Sequence, residues 1–453
     1  MQYLTIWDLV LTPIYLLVLG YIARRQRDKR YPTGHPLRKY YLPGLWVKFG
    51  GAIFIALIYQ FYYGGGDTFN FFRHSQVINS SLNDSFSIWL DLLMHKSPYT
   101  NPRLYQYTSQ LYWYNDAASY TVARIAAVLG LLNGTTYIPT ALLFAYFSFT
   151  GIWALYRTFV NIYPKLHKEL AIAFLFIPST FVWGSAIFKD TVCMFGLGWV
   201  VYCTFRVFVQ KDFSANNLLL LVISFYLIGL VKLYILLAFL PALGLWLLMN
   251  YSYKIGNAGL RWLVNLGFAG VVATGFLFFS DRFADELNRY SLDRITQTAE
   301  ATRGWIVYAS GDEGSAYDLG ELAPTATGML LKFPAAVAVT FFRPFPWEAR
   351  KVIVLLSALE ALAFLYFTLK VIMKRKGKIF SMMGKDPNLM FFLVFAIIFA
   401  FAVGITSYNF GALSRYKIPC LPFYAAFLAV LLYKDKKLTL AGQKPRRLPY
   451  ASI

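Results

Sequence analysis

Long apolar runs separated by short charged clusters set the pattern of this chain. The runs cover residues 6–23, 45–62, 137–156, 170–188, 191–208, 218–231, 235–249, 262–279, 352–372, 389–405 and 418–432. A membrane-spanning helix needs about 20 mostly apolar residues, so the pattern predicts about eleven spans. The two short runs flanking Lys232 fit that length least well. The expected class is all-α: a polytopic integral membrane protein, a single membrane domain over residues 1–453. The first run has no basic stretch before it and no small-residue cleavage site after it, so it reads as a retained span.

The clusters between the runs alternate in kind. Arg24, Arg25, Arg27, Lys29, Arg30, Arg38 and Lys39 follow the first run; Arg157 with Lys165 and Lys168, then Arg206 and Lys211, then Lys254 and Arg261 recur at every second loop. Lys374, Arg375, Lys376 and Lys378 continue the series, and 433–453 is a basic tail. The positive-inside rule puts all of these in the cytoplasm. The N-terminus is then exoplasmic, the C-terminus cytoplasmic, and the location a bacterial-type inner (plasma) membrane.

Two long connections fall on the other side. Residues 64–136 form a first exoplasmic loop with amphipathic stretches at 86–94 and 120–132, expected to be interfacial helices. A full span over 120–132 would invert every later loop against the charge rule. Residues 280–350 form a second exoplasmic loop, acidic through Asp281, Asp285, Glu286, Asp293 and Glu300.

Composition supports this reading. Hydrophobic residues make up 58% and charged residues only 14%, against roughly 25% charged in soluble domains. Tyr and Phe are abundant, as expected of interfacial belts and packed spans. The net charge of +21 lies in the loops between apolar runs, which excludes nucleic acid as the partner. Cys193, Cys203 and Cys420 fall in apolar runs and form no redox or metal motif; the four histidines are scattered. No phosphate loop, dinucleotide fingerprint or zinc motif is present.

Candidate chemistry gathers at the outer ends of the spans. Gly64-Gly65-Gly66-Asp67 follows the second run, beside Asn70, Arg73 and His74; a glycine-framed acid at the boundary suits a catalytic base, or simply a helix stop. Lys189-Asp190 joins two runs and reads as a local ion pair or a substrate contact. Lys232 lies inside apolar sequence, where it either snorkels or binds an anion. Arg343-Pro344-Phe345-Pro346-Trp347-Glu348 offers a guanidinium fork or a structural pair. Arg415 and Lys417 sit outside against the topological bias, which points to an anionic ligand.

The acidic first outer loop, the interfacial helices and the outer-face charges together resemble the GT-C class of membrane glycosyltransferases, which use polyprenyl-phosphate sugars. The likeness is one of layout. It implies that Asp67 is the catalytic acid-bearing position of the first loop, activating an acceptor hydroxyl. It also implies that Lys189, Lys232, Arg343, Arg415 and Lys417 contact phosphate, with Arg73 and His74 beside the substrate. Asp190 and Glu348 would orient those cations or help hold a divalent metal; no other cofactor is implied. The partners would be a polyprenyl-phosphate or -pyrophosphate sugar and membrane lipid. The chain departs from the class in an additional span before the acidic loop, and Asp190 alone stands for a second acidic motif. An O-antigen-type polysaccharide polymerase fits the late outer loop, and a lipid or glycan transporter or flippase without catalysis fits helix breaks at Pro178, Pro241 and Lys232.

Overall fold

The computed structural model describes residues 3–99, 101–252, scattered positions from 256 to 270, 317–320 and 326–433. Most of the expected span over 262–279, most of the second outer loop and nearly all of the basic tail lie outside the described residues. The main helices are α1 (Ile6–Arg30), α2 (Arg38–Phe61), α3 (Asp67–Ser80), α4 (Phe86–Leu93), α5 (Ala117–Gly130), α6 (Tyr137–Ile162), α7 (His167–Leu175), α8 (Pro178–Trp183), α9 (Lys189–Thr204) and α10 (Ala215–Ser252). They continue as α11 (Phe333–Phe342), α12 (Val352–Arg375), α13 (Pro387–Ser407), α14 (Phe410–Tyr416) and α15 (Leu421–Tyr433).

The protein is an all-α polytopic membrane protein. Among the described residues, seven helices are long and apolar enough to cross a membrane, or eight if the bent pair α14 and α15 makes one span. The difference from about eleven has local causes. Proline lacks a donor and clashes with the preceding turn, and the run 170–188 breaks before Pro178 into α7 and α8. Nine residues of α7 rise only ~14 Å, short of a ~30 Å hydrocarbon core. The runs on either side of Lys232 are two helices within Ala215–Ser252 that meet at a kink, where Lys232 takes non-helical φ −149° and ψ 76°. The last run is a 13-residue helix set at 70° to α14.

The chain divides into two compact units. Unit 1 comprises 1–158, 180–204 and 213–233; unit 2 comprises 159–179, 205–212 and 234–453.

In unit 1 the 64–136 segment has a core of its own, in which Ile78, Trp89, Leu92, Leu104, Tyr114 and Tyr120 pack together. Asn79 ties α3 to α5 by donating to the Ala127 carbonyl at 2.9 Å, and accepts from the Trp89 indole at 3.0 Å. Helix α5 has 14 residues and rises ~21 Å, so the 120–132 stretch is too short for a span. The spans themselves meet through small residues: a Cβ on Gly198 would lie 1.9 Å from the Gly151 carbonyl oxygen, and one on Gly51 would lie 2.3 Å from that of Phe181. Close backbone approach of this kind replaces the hydrophobic drive that lipid cannot supply.

Unit 2 uses the same device, with a Cβ on Gly404 falling 2.2 Å from the Ala336 carbonyl oxygen. There Thr340 donates to the Ala400 carbonyl at 2.8 Å, linking α11 to α13. An aromatic layer of Phe239, Trp246, Phe391, Phe395 and Phe423 fills the unit's interior. Trp246 satisfies its indole donor on Asn388 at 2.9 Å.

Candidate functional site

Helix α2 ends at Phe61, and three glycines turn the chain into α3. Gly64, Gly65 and Gly66 all have positive φ, at 67°, 143° and 128°. Side chains avoid that region, and a Cβ on Gly66 would also meet the Tyr59 ring at 2.7 Å. Gly66 is the N-cap of α3, so Asp67 opens the helix with its carboxylate at the positive end of the helix dipole. Asp67 is exposed, while its neighbours Thr68 and Phe69 are buried and anchor the turn. Thr68 shares a 2.6 Å hydrogen bond with the Tyr137 hydroxyl, and Phe69 stacks on Tyr3 at 4.4 Å.

Lys189 opens α9 in the same unit. Its ammonium lies 3.4 Å from Asp116, and both Asp67 and Lys232 lie within its electrostatic reach. Asp116 caps α5 through the Ala118 and Ser119 amides at 3.1 and 3.3 Å. Burial pushes the Asp116 carboxyl up, but the Ser119 hydroxyl and the Lys189 charge outweigh it and hold the pKa below its usual value. Asp116 therefore stays ionised at neutral pH and fixes the Lys189 side chain.

One residue further into α9, Asp190 is fully buried and accepts from Lys232 at 2.5 Å. Lys232 sits where α10 loses its helical geometry. A charge inside the bilayer needs a partner, and this pair supplies one for each side chain. From Asp67 through Lys189 and Asp116 to Asp190 and Lys232, the charges run from exposed to buried within unit 1.

Four of the expected site residues, Asp67, Lys189, Asp190 and Lys232, thus come together. Arg73 is exposed on α3, and both it and Asp67 act on the Tyr112 hydroxyl. His74 differs from the expected substrate contact. It is buried against Tyr112 and Trp113, with ring centroids 4.5 and 5.4 Å away. Burial, helped by the Arg73 charge, pushes its imidazole down to about 4, so it is neutral near pH 7 and offers phosphate no charge.

The remaining expected residues belong to unit 2. Arg343 and Glu348 pair with each other, Nε lying 3.1 Å from both carboxylate oxygens, and Arg343 also lies over the Phe410 ring at 5.2 Å. Burial raises the Glu348 pKa, but Arg343 and the Phe345 amide hold it below the usual carboxylate value. Arg415 is half-buried at the end of α14. Lys417 is fully buried in the bend before α15, and its Nζ has no hydrogen-bond partner among the described residues. Glu360 of α12 lies within its electrostatic reach. One oxygen of Glu360 accepts from the Ser179 amide at 2.8 Å, and the other has no partner.

Sequence reasoning passed over Asp116, Lys48, Asp8 and Glu360. Lys48 is buried in α2 and donates to Ser148 at 3.0 Å and to the Gly184 carbonyl at 2.6 Å. Asp8 accepts from the amides of Thr5 at 2.8 Å and Ile138 at 2.7 Å, joining the starts of α1 and α6. The legible signal was a lone charge in or beside an apolar run. No group of three or more His, Cys, Asp or Glu side chains that could hold a metal occurs among the described residues. No protein-family model, no curated protein and no solved structure matches the chain.

Proposed function

We propose that the protein transfers a sugar from a polyprenyl-linked donor to an envelope glycan, lipid or protein acceptor at the membrane face bearing Asp67. The observation that carries the reading is the exposed Asp67 carboxylate, set on a glycine turn within electrostatic reach of the Asp116-anchored Lys189. In the proposed step an acceptor hydroxyl attacks the anomeric carbon of the donor. The bond from that carbon to the phosphate oxygen breaks, and polyprenyl phosphate leaves. The hydroxyl proton passes to Asp67 as general base. An ammonium has three donors, and Asp116 engages one of those on Lys189, leaving capacity for the leaving phosphate. That face is exoplasmic on the charge distribution of the loops, with the N-terminus outside and the C-terminus inside the plasma membrane.

A strain lacking the protein should accumulate the lipid-linked sugar and lose one envelope glycan. The wild-type chain should restore the glycan, and Asp67→Asn at equal expression should not. Restoration by Asp67→Asn removes the base and the mechanism with it.

A transporter without chemistry is the second reading. It is favoured by the interruption of α10 at Lys232 and the 70° bend at Lys417, since transporters place sites on broken helices. Under that reading the deletion strain holds its lipid-linked sugar on the cytoplasmic leaflet, whereas blocked transfer leaves it on the outer one.

A further inference from the structure

The opposite end of unit 1 holds a cavity of about 310 Å³. Its polar lining is Gln26, Tyr41, Tyr146, Thr150, Arg30 and Arg157. Gln26 accepts from the Tyr41 and Tyr146 hydroxyls at 3.0 and 2.9 Å, which fixes these three side chains. Its outer wall is apolar: Phe147 is 46% exposed, and Phe195, Trp199 and Leu220 are half-buried.

No carboxylate lines this cavity. Neither Arg30 nor Arg157 has an acidic partner among the described residues; the nearby Asp28 is taken by Arg27 at 2.6 Å and Arg38 at 2.7 Å. Arg157 lies over the Tyr202 ring at 5.1 Å and reaches its hydroxyl only at 3.4 Å. Arg30 closes α1, and Arg157 lies in the last turns of α6. Both are therefore at the basic ends of their helices, remote from the turn at Asp67.

We infer that this cavity binds one anionic phospholipid. Two guanidinium groups without counter-ions suit a phosphodiester, which accepts paired N–H donors. Basic pockets between spans take such headgroups. The apolar outer wall would receive the acyl chains. A soluble anion makes no use of that wall, and a lipid without net charge makes no use of the arginines.

The test is native mass spectrometry of the purified full chain, delipidated in detergent and then titrated with phosphatidylglycerol, phosphatidylethanolamine or glycerol phosphate. The wild type should retain one phosphatidylglycerol at least tenfold more strongly than phosphatidylethanolamine. Arg30→Gln with Arg157→Gln should abolish that preference while eluting as the wild type does on size exclusion. Arg157→Lys should restore part of it, because a charge remains without the fork. Should the double variant misfold, Phe147→Asp with Leu220→Asp tests the same site through its wall and should also abolish retention. Equal retention of both lipids by the wild type, or an unchanged preference in a folded variant, overturns the inference. Displacement of the lipid by glycerol phosphate would show a site for free phosphate and also overturns it.

Discussion

Asp190 and Lys232 offer the most direct view of what the buried charges contribute. Their side chains are 0% and 7% exposed, and the contact is 2.5 Å. An exposed pair is worth about 0–1 kcal/mol, but removing one partner of a buried pair costs about 3–5 kcal/mol. Asp190→Asn removes the ion pair to Lys232 while Lys189 still repels Lys232. Lys232→Met leaves the Asp190 carboxylate, but with the Lys189 ammonium still nearby, since all three charges reach Cys193. The expected order of thermal stability is wild type, then the double variant, then Lys232→Met, then Asp190→Asn. The assay is size-exclusion recovery after heating in detergent. The coupling between the two sites should be at least ~2 kcal/mol, within the range for groups in contact. Single variants within ~0.5 kcal/mol of the wild type, or a double variant whose loss equals the sum of the singles, would refute the argument; ~0.5 kcal/mol is what a change away from any such feature gives.

Three further outcomes follow from the same geometry. Gly66→Ala forces a side chain into φ 128° against Tyr59; it should lose about 1–3 kcal/mol and most glycan transfer, while Gly50→Ala in open space on α2 should lose neither. His74 is held neutral with its pKa down at about 4, below the ~6.5 of an unfolded histidine. The unfolded chain therefore binds the extra proton first as pH falls, so stability is full above 6.5 and declines toward 4; His74→Phe should flatten that decline in a pH series of melting curves. Glu360→Gln and Lys417→Met should be non-additive in stability, with a coupling of about 0.5–3 kcal/mol, because each lies within the other's electrostatic reach. Additive losses in that pair would show that the two charges do not act on one another.

Parts of this arrangement were legible in the sequence for physical reasons. Three consecutive glycines before an acid can do little other than turn sharply, so the position of Asp67 was readable. The polytopic class followed from apolar runs that no soluble fold could bury. The span count was less readable, because hydropathy does not register Pro178 splitting one run or the kink at Lys232 that joins two others. Tertiary pairs were not readable at all. Lys189 meets Asp116 across 73 residues and Lys232 meets Asp190 across 42, and no local periodicity encodes either. Asp116 looks in sequence like an ordinary helix cap, which it also is. Lys48 and Glu360 are single charges that barely lower the hydropathy of their runs, so each reads as part of a span. Lys232 has the isolation of an anion ligand in sequence and the bond of an ion-pair partner in the fold.

In the proposed transfer Asp67 takes the proton when sugar leaves its lipid carrier. Purified protein in proteoliposomes, supplied with polyprenyl-phosphate sugars and an envelope glycan acceptor, allows released polyprenyl phosphate to be counted directly. Release should depend on acceptor, fall at least a hundredfold in Asp67→Asn, in line with the ~10²–10⁴ contributed by a general base, and persist in the folded Arg30→Gln variant. Release at the wild-type rate from Asp67→Asn would contradict that role for Asp67.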